Sequence, residues 1–207
     1  MSDPILDRST IIPSVSESLR RFISANVPLL TEATISLDSP ADWEETKQNS
    51  ASLYLYQIEI DPYLRNTPAS IVAMQASRDH VPPLVSKPAP LALDLTYMVV
   101  AYGTSGEKEQ IIANGLANLL DTCGRIPNEY LMATLQQSGN ESLSVIPEGS
   151  TIHELRDLWA AFTPKTYHLT RLYKVPAVRI PSPMEVPVDL LKEMQVSATP
   201  MSEGGAQ

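Results

Sequence analysis

"LALDLTYMVVAY", residues 91–102, is the stretch that decides the fold. Its odd positions, Leu91, Leu93, Leu95, Tyr97, Val99 and Ala101, make one apolar face. Its even positions turn apolar at Met98 and Val100. Alternation of period two marks a strand, and a strand apolar on both faces belongs in the interior of its sheet. The flanking sequence must then supply neighbouring strands and the helices that cover them.

Working back toward the N-terminus, "SLYLYQIEIDPYLRN", residues 52–66, holds a second strand at 53–60. Period two puts Tyr54, Tyr56, Ile58 and Ile60 on one face and Leu53, Leu55, Gln57 and Glu59 on the other. Asp61-Pro62 then turns the chain. "ATISL", 33–37, reads as a further strand. Before it, residues 14–26 read as a helix, with Ser14 and Glu17 spaced as a capping box and Val15, Leu19, Phe22 and Ile23 as its apolar stripe; Pro28 ends it. Six prolines between residues 61 and 90 exclude a helix there and suit an extended connection, with a short strand near 69–75.

Toward the C-terminus, residues 107–122 read as a helix with Ile112, Leu116, Leu119 and Leu120 as its stripe and Gly124 as its cap. A shorter helix is expected within 127–140 and a weak strand at 142–146. Thr151 and Glu154 form a capping box that opens a helix to 162, with Leu155, Leu158, Trp159 and Phe162 on one side. "TYHLTRLYKVPAVRI", 166–180, reads as strand, and Pro176, which cannot donate to a ladder, marks an edge or a bulge in it. The expectation is a single α/β (α+β) domain over residues 1–180, with a mixed central sheet flanked by helices. A flexible, extended C-terminal tail follows at 181–207, where only "VDLLKEM" has enough apolar residues to dock.

Composition narrows the function. Hydrophobic content of 43% and charged content of 19% fit a folded chain. The 15 basic residues against 24 acidic ones give a net charge of −9, which argues against nucleic acid as a partner. One cysteine, Cys123, excludes an intrachain disulfide. "MSDPILDRS" has neither a basic n-region nor an apolar h-region, and no apolar run is long enough to insert into a membrane; a cytoplasmic setting is expected.

Reaction chemistry is hard to find. His80, His153 and His168 lie in unrelated contexts, and no HExxH, CxxC or His-x-His pattern occurs, so neither metal nor cofactor is expected. No GxSxG, GxGxxG or P-loop motif occurs, and "YGTSGEKEQ" reads as a plain strand-to-helix turn. Glu44-Glu45 sits in a polar loop, as a solvated pair would. Catalytic, cofactor-binding and metal residues are therefore expected to be none, and the apolar and aromatic faces to serve packing and protein contact.

The ordered series "LYLYQIEIDPYLRN", "PPL" (82–84), "PLALDLTYMVVAYG", "LANLLDT", "IHELRDLWAAF" and "YHLTRLYKVPAVRI" resembles the cap, or tail-terminator, proteins of extracellular contractile injection systems. These are phage-tail-like particles of the antifeeding-prophage and virulence-cassette type. The matching positions are Leu53–Tyr56, Arg65-Asn66, Pro82–Leu84, Leu93–Gly103, Leu158-Trp159 and Tyr173–Ile180; Pro176-Ala177 departs from a more regular family strand. The resemblance implies a structural protein and not an enzyme. It implies a homohexameric ring on the end of the inner tube and sheath distal to the baseplate, stopping the growth of both. The particle would assemble in the cytoplasm, and its release or membrane attachment is left open. Tyr54, Tyr56, Arg65, Asn66, Arg171, Tyr173, Arg179, Leu190 and Leu191 are the interface candidates, the arginines as cross-subunit partners of acidic loops. A terminator or baseplate adaptor of another tail type is the alternative, and a small cytoplasmic enzyme built on the His and Cys residues is a third reading.

Overall fold

The computed structural model describes residues 6–43, 48–73, 84–184 and 186–188. In chain order the elements are α1 (Ile11–Asn26), β1 (Ile35–Ser36), β2 (Ser50–Ile60), β3 (Ser70–Ala73), β4 (Leu84–Lys87), β5 (Leu91–Tyr102) and α2 (Gly106–Cys123). Then follow β6 (Arg125–Ile126), α3 (Ala133–Gln137), β7 (Leu143–Ser144), β8 (Ile146–Glu148), α4 (Ile152–Ala160), β9 (Thr170–Ile180) and β10 (Val186–Val188). The described residues fall into two compact units: one holds those up to Thr67 with Pro90–Ser182, the other holds β3, β4 and β10.

The larger unit holds a five-stranded sheet in the order β1-β2-β5-β9-β8. β1 runs parallel to β2 and every other pairing is antiparallel, so the sheet is mixed, as expected. β5 stands in the middle and is covered on both faces. Leu95, Tyr97, Val99 and Ala101 pack with α1, α2 and α3 in the main core. Met98, Val100 and Tyr102 pack on the other side with Trp159 and Phe162, at and just beyond the end of α4.

Helix ends follow from local chemistry. α2 opens on Ser105, whose side chain accepts the Lys108 N–H, and closes on Gly124 at φ +57°, a conformation only glycine adopts without strain. α4 opens on the expected capping box: Thr151 accepts from the Glu154 N–H, and Glu154 accepts from the Thr151 N–H.

Several expectations need correction. α1 starts at Ile11, three residues before the expected start, so Ser14 and Glu17 form no capping box. Pro13 falls in the first turn, where its missing N–H costs no helix bond. Ser14 is buried inside the helix, and Glu17 pairs with Arg20 at 2.7 Å and Arg21 at 3.5 Å. The helix expected within 127–140 is a 3₁₀ turn at Asn128–Tyr130 followed by the five-residue α3. The segment 142–146 divides between β7, which pairs with β6, and β8, which pairs with β9.

The largest correction concerns the tyrosine strand. Leu55 pairs with Tyr97 but Gln57 pairs with Thr96, so Tyr56 is an extra residue, a β-bulge. Past a bulge the alternation inverts. Tyr54 therefore shares the face of Met98, while Ile58 and Ile60 pair with Leu95 and Leu93 on the opposite face. The four residues read as one face are split two and two. β9 carries the second bulge, at Pro176-Ala177, where Pro176 had marked an edge or bulge.

The smaller unit is an antiparallel sheet in the order β10-β4-β3. β3 lies where a short strand was expected near 69–75. β10 belongs to the segment after residue 180 and pairs Val186 with Ser86.

Candidate assembly surfaces

The groups that an enzyme would need are scattered. His153 is exposed in the first turn of α4, and Cys123 is exposed at the end of α2. His168 sits against Trp43, Tyr102 and Trp159, with Nδ1 3.2 Å from Glu109 Oε2. His80, Glu44 and Glu45 lie outside the described residues. Glu109 also accepts the Leu169 N–H at 2.9 Å, so this carboxylate ties the start of α2 to the approach of β9. The other ring nitrogen of His168, Nε2, lies 3.5 Å from the hydroxyl of Thr166, which is exposed.

The interface candidates fall into distinct settings. Tyr54 is half-buried and meets Phe162 edge-on at 6.1 Å. Tyr56, on its bulge, walls an open hollow with Glu148, Glu154, Asp157 and Leu158. Burial raises its phenol pKa, and Glu148, Glu59 and Glu154 push it further in the same direction. Tyr173 is 2% exposed, within the chain's own core, and donates to Asp121 at 3.0 Å. Its phenol pKa is raised, first by burial and then by that bond. Arg171 is exposed, pairs with Asp121 at 2.9 Å and lies over the Tyr173 ring at 5.8 Å. An exposed pair of this kind contributes at most about 1 kcal/mol.

Arg179 is held by its backbone from both directions: its N–H donates to Asn140 Oδ1 and its carbonyl accepts from Asn140 Nδ2, each at 2.8 Å. Its side chain is exposed, and among the described residues no carboxylate pairs with it. Arg65 and Asn66 are exposed on the turn after β2. Leu190 and Leu191 lie outside the described residues.

Two features escaped the sequence reading. Asp61, only 9% exposed, braces the turn after β2: its Oδ1 accepts the N–H of Tyr63 at 2.8 Å and of Leu64 at 3.1 Å. The braced turn holds Tyr63 91% exposed. The Asp-Pro dipeptide was the available signal, since Asp favours this side-chain-to-backbone turn. The second feature is an apolar cleft of about 250 Å³ between α2 and the start of β9, assembled from segments far apart in sequence.

A mixed sheet with three helices on one face and one on the other is a fold shared with terminators of contractile particles. One solved relative is the PVC sheath/tube terminator of an extracellular contractile injection system in its extended state. It aligns with a TM-score of 0.54 at 17% identity, over 95% of this chain and 63% of that chain. Another is the anti-feeding prophage cap, a tube terminating cap, with a TM-score of 0.53 at 13% identity, over 89% of this chain and 60% of that chain. At these identities the likeness is one of fold, and the chain spans about three fifths of the length of either structure. The family is given by the sequence itself: residues 14–191 match the Pvc16 N-terminal domain, and the chain belongs to that family. No curated protein matches the chain.

Proposed function

We propose that this protein is the terminator of a contractile phage-tail-like injection particle. Six copies form a ring on the end of the inner tube and sheath distal to the baseplate, and the ring stops both from growing. One observation carries this reading: the terminator fold extends over 95% of the chain. Residues 1–180 form the terminator domain and 181–207 its C-terminal extension. The particle assembles in the cytoplasm, without nucleic acid, cofactor or catalytic step.

The physics of assembly supports this role. Stacked rings form an open, heterologous assembly that grows until one face is covered. A terminator must match the last ring on one side and offer no copy of that surface on the other. Such a task needs shaped and charged surfaces, which this chain has, and no reaction centre. Deletion of the protein is expected to yield tubes and sheaths that are abnormally long, unstable or absent, with the baseplate end still formed. Electron microscopy of the particles measures this. Normal particles of normal length from the deletion would refute the assignment.

A further inference from the structure

We infer that the Asp61-braced turn is a knob that seats Tyr63 in the α2–β9 cleft of a second copy of this chain, and that this contact closes the ring. The inference rests on the proposed ring and assigns its subunit contact.

The knob is built to be rigid. Asp61 takes two N–H groups of the turn on its carboxylate, and its own N–H donates to the Ala92 carbonyl at 3.0 Å. Tyr63 projects from this base almost wholly into solvent, with the apolar side chains of Ile60 and Leu91 exposed at 48% and 45% in the same part of the sheet. A rigid turn presenting an aromatic ring loses little conformational freedom on binding, and tyrosine is a favoured interface anchor.

The cleft has matching chemistry. Val99, Ala101, Leu116, Ala117, Tyr167 and Leu169 line it. Tyr167 and Leu169 are themselves 50% and 39% exposed. Its volume of about 250 Å³ is below the usual range of small-molecule pockets, roughly 300–1,000 Å³, and suits an inserted side chain better. Thr170 and Arg171 add polar groups that a phenol can reach. Charge agrees as well. Arg65, two residues from Tyr63, pairs with no described carboxylate, and α2 opens on the exposed Glu107, while Glu109 and Asp121 are already engaged by His168 and by the cleft's own Arg171.

Placement suits a ring. The knob is tied to the start of β5 by the Asp61-to-Ala92 bond, and the cleft to its end by the Ala101 N–H bond to the Leu169 carbonyl, also 3.0 Å. At ~3.3 Å per residue, the two lie about 30 Å apart along one rigid strand. The knob and the hole are separate patches, so the knob of one copy can enter the hole of the next. Joined head to tail in this way, copies form a ring where the rotation between neighbours closes.

The test uses the full chain in sedimentation velocity, with circular dichroism to confirm folding. Y63A should weaken self-association at least about thirtyfold, as loss of a central aromatic anchor does, and Y63F should retain it. A117F, which plugs the cleft, should weaken it as well. The two variants then supply one intact knob and one intact hole, so a folded mixture should give a one-to-one dimer and no larger species. Wild-type rings persisting in both variants would overturn the contact and leave the ring standing. A wild-type chain that remains monomeric would overturn the ring itself. A mixture of folded variants that forms no dimer would overturn the pairing of this knob with this hole.

Discussion

Tyr97 and Tyr102 stand on one strand, face opposite ways and end in opposite states. The Tyr97 hydroxyl shares a buried hydrogen bond of 2.9 Å with Ser16 Oγ. The Tyr102 ring stacks on Trp43 at 3.9 Å, and its hydroxyl is buried with no hydrogen-bond partner among the described residues. Burial raises both phenol pKa values; the Ser16 bond opposes this for Tyr97, and the charge of Glu109 adds to it for Tyr102. A satisfied buried hydroxyl contributes about 1 kcal/mol, whereas an unsatisfied one costs ~1–3 kcal/mol. Tyr97→Phe should therefore destabilise the fold by about 1 kcal/mol or slightly more, because it also strands Ser16. Tyr102→Phe should stabilise it by about 1 kcal/mol. Urea unfolding midpoints at unchanged m-value measure both. A destabilised Tyr102→Phe would show that the hydroxyl is satisfied by solvent.

At the scale of elements, the two bulges show what sequence reveals and what it hides. Strand β5, helix α2 and the capping box of α4 were legible because periodicity and caps are local. Pro176 was legible as an edge or bulge because a missing N–H is chemistry visible in one residue. The Tyr56 bulge left no such mark: an extra residue inside an unbroken alternation changes every later face without changing composition. The start of α1 was misplaced because Ser14 and Glu17 have the spacing of a capping box, although the helix begins a turn earlier and Pro13 is harmless there. The cleft was illegible for another reason, since it depends on contacts between distant segments, whereas the brace of the turn is local and Asp61-Pro62 was its signal. In the β9 bulge, Ala177 sits at φ +56°, and its N–H donates to Asp94 Oδ1 at 3.0 Å. That conformation costs a non-glycine residue ~1–2 kcal/mol. The freer unfolded chain of a glycine variant offsets ~0.4–1 kcal/mol of the relief. Ala177→Gly should thus stabilise the protein by about 0.5 kcal/mol. Asp94→Ala should destabilise it by ~1–3 kcal/mol by leaving the bulge N–H unpaired. Thermal unfolding of both variants checks the pair, and a destabilised Ala177→Gly would show that the bulge relies on the alanine methyl.

For the whole molecule, charge and shape oppose each other in assembly. Each chain carries −9, so a six-membered ring would carry about −54 before screening. Several cations are already engaged within the chain: Arg20 and Arg21 with Glu17, Arg171 with Asp121, and Lys174 near Glu59 and Asp94. The proposed contact is lined mainly by apolar groups, so apolar contact must carry the association while like charges resist it. Salt separates the two contributions. Raising ionic strength from 0.01 to 0.15 M shortens the screening length from roughly 30 to 8 Å, which weakens repulsion across the ring and leaves apolar burial almost unchanged. Self-association measured by sedimentation should therefore tighten over that range. Arg65→Glu should weaken it, and most strongly at low salt, because the change replaces a positive with a negative charge beside the proposed contact. Were association instead to loosen steadily as salt rises, acid–base pairs would be its main source, and Arg65 and Arg179 would take precedence over Tyr63 as the groups that hold the ring.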